Sequence, residues 1–168
     1  QNYKHPLETS VLRDFLEGSN KVMECPTAKR LANEFFDYTM FMRLAGAKTD
    51  LSWKVFYFEQ PQMGAASPRK YMPAIPLLVE EHDRFYNRTW DDGSFAWNDQ
   101  LTTRHDRGAS IAYLDGSVAR MIPPRGGYDN VEEAADLKTL HFKLQVNSRI
   151  FDLYDSNANE FGWVNAPR

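Results

Sequence analysis

The chain has 168 residues, 42% of them hydrophobic, enough for one domain with a buried core. Lys plus Arg number 20 against 23 Asp plus Glu, a net charge of −3 with no basic block, which argues against nucleic acid as the main partner. The one cysteine, Cys25, excludes an intrachain disulfide. The 168 residues read as containing neither a signal peptide nor an apolar run of about 18 residues.

In chain order, residues 8–17 read as a short amphipathic helix, with Val11, Leu12, Phe15 and Leu16 at helical spacing and Gly18 to end it. Lys21 to Cys25 reads as extended and stops at Pro26, which holds Cys25 out of helical geometry. Residues 27–36 allow a helical turn or two. Phe35 to Leu44 fits that or a strand, and Gly46 breaks either. Leu51 to Glu59 is strand-like, with Trp53, Val55 and Tyr57 alternating with Lys54, Phe56 and Phe58. A loop over residues 60–68 leads to a strand over Ile75 to Glu80, whose prolines Pro73 and Pro76 imply an edge position or an irregular start. Phe85 to Trp97 suggests an aromatic hairpin or flap around Asp91-Asp92-Gly93.

The strongest local signal follows. Asp115-Gly116 reads as a two-residue type I′ turn between strands 109–114 and 117–122. That loop sets Tyr113 opposite Val118, Ala112 opposite Ala119 and Ile111 opposite Arg120. Both faces are then largely apolar, as expected of a strand pair covered on both sides. Beyond the linker-like Pro123-Pro124-Arg125-Gly126-Gly127, Asn130 caps an expected helix from Val131 to about Leu140. Strands over His141 to Val146 and Ile150 to Tyr154 complete the reading.

His105, nine residues, then Asp115-Gly116 resembles the His-nine-residues-Asp-Gly signature of prepilin-type proteins, relatives of type IV pilins and type II secretion pseudopilins. Further landmarks are similar: Leu12 to Leu16 leading to the Cys25-Pro26 step, the segment around Tyr38, and the apolar strand Pro76 to Glu80 before the His motif. The resemblance implies an α+β, pilin-like fold, an N-terminal helix (truncated here) packed on an antiparallel sheet. Residues 1–124 would be the core of a single domain and 125–168 a C-terminal extension. It also implies a non-enzymatic subunit of a general (type II) secretion or type IV pilus-like envelope system. A missing apolar N-terminal helix would anchor it and bundle with other pilin-like subunits at inner-membrane machinery, leaving the globular part periplasmic or extracellular.

Candidate chemistry is sparse. His105 suits a metal ligand or general base, but also a tie to a neighbouring carboxylate or backbone carbonyl, and Glu80 is expected to pair with Arg104 or His105 across neighbouring strands. Glu80, His82, His105 and Asp106 make a conceivable metal set, and with it a metal-dependent hydrolase, without the tight spacing of zinc sites. Asp115 and Gly116 serve the turn. Cys25 reads as a buried small residue, since Pro26 removes an N–H that would often serve an oxyanion hole and no partner histidine is identifiable. Asp155, Asn157 and Asn159 alternate like calcium ligands, but Glu160 stands at the turn-glycine position. No cofactor is expected beyond that calcium option. Trp90 and Trp97, among acidic and amide residues, fit a sugar-stacking platform and hence a cell-surface glycan-binding module, or equally a packed flap.

Overall fold

The computed structural model describes residues 14–16, 20–28, 36–41, 44, 52–82, 93–96, 99–124 and 137–153. Two sheets share one core. The first has the order β5-β1-β4-β6-β7, built from β1 (Tyr38–Phe41), β4 (Pro76–Glu80), β5 (Ser94–Phe95), β6 (Ala109–Tyr113) and β7 (Val118–Met121). The second runs β3-β2-β8-β9, from β2 (Lys54–Phe58), β3 (Arg69–Tyr71), β8 (Lys143–Val146) and β9 (Arg149–Asp152). All pairings are antiparallel except β1 with β5.

Alternation in sequence becomes the inner face of each sheet. Ala109, Ile111 and Tyr113 of β6 and Val55 and Tyr57 of β2 point into the shared core. Phe142, immediately before β8, joins the layers. Its ring stands edge-on to Phe41 at 5.1 Å and to Tyr57 at 6.1 Å between centroids.

The expected α+β pilin-like fold is corrected: strands dominate, and no helix reaches seven residues among the described residues. The reason is local. Lys21 to Met23, within the stretch Lys21 to Cys25 read as extended, belong to a 3-10 turn over Asn20–Met23, and Pro61–Ala66 in the expected loop is 3-10 with a kink at Gly64. The C-terminal end of the anticipated helix over residues 131–140 is instead Lys138 in a bridge to Gln100, followed by a 3-10 turn at Thr139–His141. No described helix is long and apolar enough to cross a membrane. The rest of the helices expected over residues 8–17, 27–36 and 131–140 lies outside the described residues, as do most of the aromatic flap and the segment 154–168.

The central hairpin is present, but one residue out of the expected register. Ala112 pairs with Val118, Ile111 with Ala119 and Ser110 with Arg120. Gly116 N–H donates to Tyr113 O at 3.0 Å and Tyr113 N–H to Ser117 O at 2.9 Å, while Gly116 adopts φ +84°. This is a β-turn closed by a left-handed glycine, the longer hairpin loop rather than the two-residue one. Because side chains alternate, a one-residue slip exchanges faces. Val118 therefore turns outward, 71% exposed, and β7 is the sheet's edge instead of a strand covered on both sides.

Candidate functional site

A tight turn lies where only a strand start was expected. His105 and Gly108 exchange backbone hydrogen bonds of 3.1 and 3.0 Å, and the residues between them, Asp106 and Arg107, have φ of +48° and +65°. Two successive left-handed residues are the mark of a type I′ turn. Gly108 admits the close approach of β7, since a Cβ there would lie 2.8 Å from the Met121 carbonyl oxygen. Arg120 reaches back over the turn to Asp106 at 2.9 Å. The turn points the His105 side chain at the C-terminal end of β4.

There Glu80 is fully buried. Its Oε1 lies 2.8 Å from His105 Nε2 and 3.6 Å from Arg104 Nε, while Oε2 accepts the Ser110 N–H at 3.1 Å. A buried carboxylate requires such partners, because desolvation without them costs several kcal/mol. Of the two partners expected for Glu80, His105 makes the hydrogen bond and Arg104 the longer ion pair. Arg104 also donates to Asp37 Oδ1 at 3.3 Å, to the Glu81 carbonyl at 2.6 Å and to the Thr102 hydroxyl at 2.9 Å.

From the other side comes Cys25. Its N–H donates to Asp37 Oδ2 at 2.7 Å, and the Ala28 N–H closes a turn over Pro26 onto the Cys25 carbonyl at 3.1 Å. The thiol, buried as expected, sits 3.1 Å from Thr27 Oγ1 and 3.5 Å from His105 Nε2. Tyr38, one strand position from Asp37, completes the group. Its phenol is pushed up to about 12, first by burial, then by the Glu80 carboxylate and the Cys25 thiol, with Arg104 opposing.

The contact between Cys25 and His105 spans 80 residues, so no spacing rule finds it. The one available signal was that both belong to the landmarks of the resemblance. The conceivable metal set of Glu80, His82, His105 and Asp106 is not assembled. Asp106 is solvent-facing and paired with Arg120, and among the described residues the donor cluster is Cys25, Glu80 and His105. Asp115 and Gly116 lie at the hairpin tip as expected, with Asp115 Oδ1 accepting the Ser117 N–H at 2.9 Å and its hydroxyl at 2.7 Å. Those two bonds hold the Asp115 carboxyl below its ordinary range. Trp90, Trp97, Asp155, Asn157 and Asn159 lie outside the described residues.

The chemistry open to this arrangement is limited by one detail. A Cys-His-carboxylate relay needs the thiol on one ring nitrogen and the carboxylate on the other. Here the same atom, Nε2, faces both Cys25 Sγ and Glu80 Oε1. The geometry is convergent and not that of a relay. A separate groove of about 360 Å³ runs between β7 and β2-β3, lined by Tyr57, Met72, Tyr113 and Met121 with Lys70 and Arg120 at its sides. It shares no residue with the cluster.

No protein-family model, curated protein or solved structure matches this chain.

Proposed function

We propose that the chain is a non-enzymatic, prepilin-type subunit of a type II secretion or type IV pilus-like envelope system, anchored through a segment preceding Gln1. The observation that carries this reading is the convergence of its landmarks. Cys25, Tyr38, Glu80 and His105, scattered over the sequence, share one set of contacts. The nine-residue spacing acquires a physical meaning too. It comprises the 106–107 turn, Gly108, the five residues of β6 and Leu114, so it sets the distance from the Glu80 anchor to the hairpin tip. Every residue of the signature is engaged in holding the hairpin: His105 on Glu80, Asp115 on Ser117, Gly116 in the left-handed turn. That assignment to architecture favours a structural subunit over an enzyme.

The test is the N-terminal peptide mass of the native protein taken from its source membrane. A processed, N-methylated residue opening an apolar segment upstream of Gln1 is the expected result. An unprocessed N-terminus, or conventional secretory cleavage, would defeat the reading.

A further inference from the structure

We propose that Cys25, Glu80 and His105 form a binding site for one borderline-soft divalent cation, best fitted by zinc. The proposal stands apart from the envelope reading and holds whether or not that reading does. The sulfur, the imidazole nitrogen and a carboxylate oxygen all lie within 4.8 Å of one another. Zinc bonds of about 2.0–2.3 Å in a tetrahedron place neighbouring donors roughly 3.3–3.8 Å apart. The Sγ to Nε2 distance of 3.5 Å already falls in that range. The 2.8 Å contact between Nε2 and Glu80 Oε1 is a hydrogen bond that a metal would replace, with a small opening of the pair. One nitrogen shared by thiol and carboxylate is unproductive for a relay and is what a chelate requires.

The surroundings are built to hold the donors. Glu80 keeps its second oxygen on the Ser110 N–H, the Cys25 backbone is fixed by Asp37, and His105 is fixed by its backbone exchange with Gly108. Charge is consistent as well. Arg104 balances one of the two carboxylates, Asp37 and Glu80, and a divalent cation on a thiolate balances the other. A thiolate disfavours calcium and magnesium, and a carboxylate disfavours copper(I); among the borderline divalent ions that remain, a Cys-His-carboxylate set with near-tetrahedral donor spacing suits zinc, for which cobalt(II) is the spectroscopic substitute. The His105 side chain is 32% exposed, so an ion would enter along the imidazole, and a water would complete the tetrahedron.

The experiment treats the full chain with a chelator under a thiol-free reductant, then titrates Co²⁺ followed by Zn²⁺. The expected result is one cobalt per chain, a tetrahedral ligand-field spectrum and a thiolate-to-cobalt charge-transfer band, all removed by zinc. Because Cys25 is the only cysteine, that band reports it without any mutation. Cys25→Ser should abolish the band, and His105→Gln should weaken zinc binding more than about ten-fold, while Asp106→Asn leaves both unchanged. An octahedral spectrum, a bound cobalt without the thiolate band, or no stoichiometric uptake would overturn the proposal.

Discussion

Replacing Glu80 by alanine removes the acceptor on which His105, Arg104 and the Ser110 N–H converge. Glu80 is fully buried, so water does not readily substitute for it. Arg104 keeps Asp37 and the Glu81 carbonyl, but the start of β6 is left with an unmet donor. Breaking a buried ion pair from one side costs about 3–5 kcal/mol, against a total stability of roughly 5–15 kcal/mol for a domain. With a urea m-value of about 2 kcal/mol/M, the unfolding midpoint should fall by roughly 2 M at unchanged slope. Glu80→Gln retains an acceptor for Ser110 and should lose about half as much. Arg120→Ala, which breaks the exposed pair with Asp106, should cost no more than about 1 kcal/mol and calibrates the scale. If Glu80→Ala shifts the midpoint no further than Arg120→Ala does, the carboxylate does not hold the β4–β6 junction and the reasoning fails.

Other expectations follow from particular contacts. Gly108→Ala presses a methyl group against the Met121 carbonyl and should cost about 1–3 kcal/mol by thermal or urea unfolding. Gly116→Ala meets no atom but keeps φ at +84°, so its cost, about 1–2 kcal/mol, comes from backbone strain alone. Phe142→Ala opens the junction between the sheets and should cost about 3–5 kcal/mol. Tyr38 and Tyr57 are pushed up to about 12 from 10.0, both chiefly by burial. A raised folded value favours the neutral phenol, so this contribution is complete below the unfolded value of 10.0 and is lost as pH rises through about 12. Ultraviolet titration should show these two tyrosines ionising late, and Tyr57→Phe should flatten the alkaline loss of stability.

How far the sequence was legible depended on the range of the interaction. Strand composition located β2, β4 and the hairpin, because aromatic and β-branched alternation is a local property. The expected irregular start of β4 appears as a register shift between Pro76 and Leu78, although β4 is central in its sheet. Turn type failed. Asp115-Gly116 looks like a two-residue turn, yet the left-handed pair forms at Asp106-Arg107, where neither residue is glycine. There the backbone exchange between His105 and Gly108, the Arg120 to Asp106 contact and the anchoring of His105 on Glu80 offset the strain. The helix expectations rested on local spacing and capping signals, and at Lys138 the pairing with Gln100 overrode the one expected over residues 131–140. The site was half legible. Glu80 with His105 followed from adjacent strands, whereas Cys25 reaches them only through the fold.

The central claim is that the landmark residues act as one coupled unit. A double-mutant cycle on Glu80→Gln and His105→Gln, read by urea unfolding of the metal-free chain, tests it most directly. The account predicts a coupling energy above about 0.5 kcal/mol, with His105→Gln costing little once Glu80 is already replaced. Additivity within about 0.3 kcal/mol would mean that the two side chains stabilise the fold independently, contradicting the account.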